Sequence, residues 1–142
     1  MRLPVKVVFL ALLALPLQAQ EREPGIAPGI APGIAPVIEG QMQAFRAGDV
    51  AGAFAFASPS IQSIFGSAEN FGRMVAQGYP MVWQPGAVRM LGQQDQPGMV
   101  LQRVLVTDAE GRSHVLEYQM LETAEGWLIN GVRIVTEPEP VA

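Results

Sequence analysis

The sequence predicts an α+β domain: three or four short N-terminal helices packed on one face of a curved, cone-like antiparallel sheet of about four strands. Three observations carry this expectation. Helical spacing and helix-end signals fill the stretch from Val37 to Pro80. Alternating apolar residues dominate the stretch from Val88 to Val135. Two tetrapeptides of one form, Asp108-Ala109-Glu110-Gly111 and Thr123-Ala124-Glu125-Gly126, divide that second stretch at hairpin spacing.

The helical elements follow from their punctuation. Val37, Ile38, Gln41, Met42 and Phe45 keep helical spacing, and Gly48 suits a left-handed stop. Asp49 can cap a second helix with apolar positions Val50, Ala53, Phe54 and Ala57. Ser58-Pro59 is a cap followed by a first-turn proline, opening a short turn through Ile61, Ile64 and Phe65 that ends at Gly66. Ser67 caps again, Glu69 favours the first turn, and Phe71, Met74 and Val75 make a buried stripe. Gly78-Tyr79-Pro80 stops that helix.

Val88 to Leu91 reads as a short strand followed by a loop from Gly92 to Gly98; Met99 to Thr107, Arg112 to Glu122 and Trp127 to Val135 read as longer strands. Each tetrapeptide suits a type I turn closed by a left-handed glycine, the usual three-residue hairpin loop. Opposed residue numbers then sum to 220 in the first hairpin and 250 in the second. One face carries Val100, Gln102, Val104 and Val106, then His114, Leu116, Tyr118 and Met120, then Leu128, Asn130, Val132 and Ile134. It is the more apolar face and should meet the helices. The other carries Leu101, Leu105, Val115, Leu121, Trp127 and Ile129, with Glu117 opposite both Arg103 and Arg133, a favourable cross-strand charge row.

The segments before the domain are of another kind. Met1–Ala19 is expected to be a secretory signal peptide: Arg2 and Lys6 precede the apolar run 7–15, Pro16 breaks it, and Ala19 offers a small residue for cleavage. That run is too short to span a bilayer. A periplasmic or secreted location is therefore expected, with no membrane association after leader cleavage. Three PGIA repeats between Pro24 and Ala35 make residues 20–36 a flexible spacer, since proline in every unit of four prevents an amphipathic helix. The single domain is placed at 37–136 and a disordered tail at 137–142.

Composition closes several function classes. Without Arg2 and Lys6, seven arginines stand against thirteen acids, a formal charge of 7 − 13 = −6. The arginines are scattered singly, so nucleic acid is not an expected partner. The chain has no cysteine and one histidine, which removes disulfides, thiolate sites and multi-histidine metal sites. No cofactor or metal is implied. Charged residues are only 15% of the chain, so long uncharged stretches need cover, and an oligomer interface is one way to supply it.

Four segments carry a resemblance: Gln43 to Asp49 (QAFRAGD), Phe56 to Gly66 (FASPSIQSIFG), Gln77 to Trp83 (QGYPMVW) and Gly126 to Val132 (GWLINGV). They resemble a bacterial family known as domain of unknown function 4864. The helix–Gly-Asp–helix opening and closing Gly-Trp strand also look like the nuclear transport factor 2-like superfamily, which includes ketosteroid isomerase and polyketide cyclases. That second likeness implies a curved sheet wrapping helices into a cone, often with a pocket at the open end and often as a dimer.

The helix-facing side of the sheet carries four polar residues, Gln102, His114, Tyr118 and Asn130, which would point into any cavity beside Tyr79 and Trp83. These six are the candidate ligand-binding residues. Against that, Tyr118 and Gln102 can satisfy one another in a filled core, His114 can sit at the rim, Asn130 can serve a strand irregularity before Gly131, and Tyr79 and Trp83 can be core. No catalytic constellation emerges: the inner face lacks Asp and Glu, and Glu117 is held between arginines. Three readings follow: a module binding or sensing a small apolar ligand, a homodimer or interaction module using the outer sheet face, or an enzyme of isomerase or hydratase type.

Overall fold

The computed structural model describes residues 33–135. The expected leader, all but the end of the spacer, and the tail lie outside the described residues. Helices Ile34–Arg46 (α1), Val50–Ala55 (α2), Pro59–Phe65 (α3), Ala68–Gly78 (α4) and the single turn Pro80–Trp83 (α5) precede four strands, Val88–Gln96 (β1), Met99–Thr107 (β2), Ser113–Thr123 (β3) and Gly126–Ile134 (β4). The strands form one antiparallel sheet in the order β1-β2-β3-β4.

Helix ends fall where short polar side chains and glycines allow them. Asp49 accepts from Gly52 N, Ser58 from Ile61 N and Ser67 from Asn70 N, each giving a first-turn amide a partner. Gly66 closes α3 at φ 79°, in the left-handed region. Two differences from the sequence reading stand out. α1 begins at Ile34 rather than Val37, because Pro36 falls in the first turn, where its missing N–H has no helical acceptor to lose. Past Pro80 the chain makes the further turn α5, with that proline at its first position.

α1 buries Ile34, Ile38, Gln41, Met42 and Phe45 along one stripe. α2 and α4 meet closely: a Cβ on Gly72 would come within 2.6 Å of Val50 Cγ1, so this crossing needs glycine. Phe71 gathers the helical layer, its ring 5.8 Å from Phe45, 5.3 Å from Phe54 and 5.6 Å from Phe65.

Opposed residues in β2 and β3 sum to 220 along the whole ladder, and the loop at residues 109–111 is the expected three-residue one, with Gly111 at φ 85°. Along β2, Val100, Gln102, Val104 and Val106 are buried while their neighbours are half-exposed. Glu117 receives Arg103 Nε at 3.2 Å and Arg133 Nε at 2.9 Å, as the cross-strand row requires.

The β3–β4 ladder departs from the expected register near its turn. From Leu116↔Ile134 to Gln119↔Gly131 the sum is 250, but from Met120↔Ile129 to Thr123↔Gly126 it is 249. The loop is thus two residues, Ala124-Glu125, and the extra residue lies further on, at Asn130. This bulge inverts the expected facing of the first part of β4. Ile129 is buried beneath the helices and Trp127 packs against the core, while Leu128 takes the outer position opposite Leu121. β1 is also longer than expected. It continues through Gln96 past a bulge at Leu91-Gly92, then turns through Pro97-Gly98 with Gly98 at φ 73°. Its second half, Gln93 to Gln96, has no apolar alternation, because an edge strand needs only backbone partners on one side.

Candidate functional site

β4 is an edge strand, and the helical half takes up outward backbone groups at Ile129 and Val132. Ile129 N donates to Phe56 O and Ile129 O accepts from Ser58 N, both at 2.9 Å, in a parallel bridge between residues 57 and 129. Ser58 Oγ also donates to Asn130 Oδ1 at 2.7 Å while capping α3. Gln62 Nε2 holds the same segment through Phe54 O and Ala57 O, at 3.0 and 3.3 Å. Two residues beyond the bulge, Tyr79 Oη donates to Val132 O at 3.0 Å.

Between these two attachments lies a cavity of about 280 Å³. β4 forms one wall with Ile129, Gly131 and Val132. Phe45, Phe71, Val75 and Val82 form the buried wall, and the half-buried Ile61, Phe65 and Met74 of α3 and α4 stand toward solvent. Two polar side chains are present, Gln41 and Tyr79. Gln41 is 3% exposed, and its Nε2 donates to Ala53 O at 3.2 Å. Ala53 O can only accept, so the amide orientation is fixed: nitrogen toward α2. Among the described residues no charged side chain lines the cavity.

The six candidate residues take different places, and the structure does not bring them together. Tyr79 lines the cavity. Asn130 is the bulge residue, tied to Ser58. Trp83 packs on Phe45 at 5.5 Å in the helical layer. Gln102 is fully buried opposite Tyr118, yet it serves the β1 bulge: Nε2 donates to Leu91 O at 2.9 Å and Arg103 O at 2.8 Å, and Oε1 accepts from Gln93. A bulge strips ladder partners from backbone carbonyls, and a glutamine amide replaces them. Tyr118 is therefore not paired with Gln102. Its hydroxyl is buried with no hydrogen-bond partner among the described residues. Burial, reinforced by Tyr79, pushes its ionisation far above the ordinary tyrosine range.

His114 belongs to the first hairpin, its Nε2 2.8 Å from Asp108 Oδ2. Asp108 Oδ1 also accepts from Glu110 N and Arg112 N, both at 2.9 Å. The His114 hydrogen bond is the main reason the Asp108 carboxyl lies well below the usual carboxylate range. Among the described residues no three acidic or histidine side chains come together as metal ligands.

Sequence reasoning missed Gln41 and the apolar wall. The available signal was a glutamine on the buried stripe of α1, between Ile38 and Met42. A polar residue at such a position needs a partner or a cavity.

Fold and site together define a small α+β domain with an apolar cavity between its helical layer and the bulged edge of its sheet. The chain belongs to the family described as Domain of unknown function (DUF4864), whose profile matches residues 30–142. No curated protein and no solved structure matches the chain.

Proposed function

We propose that this is an exported module that binds or senses a small apolar ligand in the cavity between α1, α3, α4 and β4. The observation that carries the reading is the cavity itself: about 280 Å³ in a domain of this size, walled by Phe45, Phe65, Phe71, Val75, Val82 and Ile129. An apolar concavity of that size leaves its lining without the dispersion contacts that packed protein supplies, and an apolar occupant restores them. Apolar walls with a few polar groups are what a small-molecule site needs. The leader-like residues 1–19 support export.

Naphthalene, neutral and without hydrogen-bonding groups, is the probe that tests this. Isothermal titration of the domain should show saturable one-to-one binding, abolished in Ala57→Leu, which places a larger side chain in the cavity wall. Val132→Phe provides a second filling variant should the first disturb the fold. Absence of saturable binding to the parent protein rejects the reading.

A second reading rests on a separate observation. Leu101, Leu105, Val115, Leu121 and Leu128 surround the Arg103–Glu117–Arg133 row on the sheet face opposite the helices. An apolar band of this extent suits a face-to-face homodimer. Sedimentation at micromolar concentration should give a dimer, and Leu105→Glu a monomer; a monomeric parent chain rejects this reading without touching the first.

A further inference from the structure

We infer that the cavity selects a neutral ligand with a hydrogen-donating head, an alcohol or phenol of about ten non-hydrogen atoms, and rejects carboxylates. This rests on the cavity being a ligand site. The size follows from filling about 280 Å³ at roughly the density of a protein interior.

The polarity follows from the hydrogen-bonding groups still uncommitted. Tyr79 has one hydroxyl proton, and it is given to Val132 O. What the phenol retains for a ligand is acceptor capacity. Gln41 commits one N–H to Ala53 O, while Oε1 and the second N–H have no partner among the described residues. The two polar side chains therefore offer two acceptor oxygens against one remaining donor. A hydroxyl head donates to either oxygen and can accept from the Gln41 N–H. A carboxylate only accepts, so from these two side chains it meets one donor and two repelling oxygens. Among the described residues lining the cavity it finds no cation, and an unpaired charge in an apolar site is strongly disfavoured.

The test compares 1-octanol with octanoate at pH 7.5 on the full chain, with naphthalene as reference. 1-Octanol should bind at least tenfold more tightly than octanoate. Tyr79→Phe and Gln41→Met should each weaken 1-octanol severalfold while retaining naphthalene, which also reports that the variant is folded. Octanoate binding as tightly as 1-octanol overturns the inference. So does an unchanged 1-octanol affinity in both variants. If naphthalene fails to bind the parent chain, the cavity reading itself fails, whereas naphthalene binding without the preference for 1-octanol overturns this inference alone. Should either variant not fold, the contrast between alcohol and carboxylate on the parent protein still decides.

Discussion

At the scale of single residues, polar side chains on the inner sheet face answer to their immediate partners. Among the described residues the Tyr118 hydroxyl is buried without a partner, and a buried unsatisfied hydroxyl costs about 1–3 kcal/mol. Tyr118→Phe should therefore stabilise the domain by about 1 kcal/mol, read as a rise of a few degrees in Tm. A destabilised variant would show that the hydroxyl is bonded after all. Asp108 behaves in the opposite sense. Its carboxyl is held below the ordinary range in the folded hairpin, chiefly by His114. Its contribution is complete above about pH 4, the unfolded value, and is lost as pH falls through the depressed folded value. Urea midpoints measured from pH 5 to pH 2 should fall less steeply for Asp108→Asn than for the parent chain; parallel curves would contradict the assignment. The residue types were legible in the sequence, but their roles were not. Gln102 stands opposite Tyr118 as the pairing requires, yet its amide turns to bulge carbonyls that a two-strand register does not reveal.

At the scale of elements, caps and turns were readable because each rests on local chemistry within four residues. Asp49, Ser58, Ser67 and Gly66 all act where the sequence puts them. The bulges were not readable, since an inserted residue leaves the apolar alternation plausible in either phase. In β4 both Leu128-Asn130 and Trp127-Ile129 could face inward, and the choice fell to Ser58 reaching Asn130 from the helical half. That contact crosses 72 positions of sequence. It makes Ser58 more than a cap. Ser58→Ala should cost about 2 kcal/mol, from the lost cap and the unpaired Asn130 oxygen, against about 1 kcal/mol for Ser67→Ala, which loses a cap alone. Chemical denaturation of both variants distinguishes them. Equal losses would mean that the Ser58–Asn130 link contributes nothing.

At the scale of the whole molecule, the order of helices before a four-stranded meander was legible, because periodicity changes once along the chain and glycine-closed turns mark the hairpins. Of the six candidate residues only Tyr79 lines the cavity of about 280 Å³. The cavity lies at the free edge of β4, where helix-to-edge attachments at Ser58 and Tyr79 leave a gap between them. The outer sheet face was anticipated more closely, with Leu128 substituted for Trp127 and Ile129 once the bulge is counted. The measurement bearing most directly on the cavity is a set of nuclear Overhauser contacts between bound 1-octanol and methyl-labelled protein. Contacts from the alkyl chain to the methyls of Ile61, Val75, Val82 and Ile129 are the predicted result. A ligand that touches only surface methyls such as Ile64, or one that gives no contacts at saturating concentration, would contradict it.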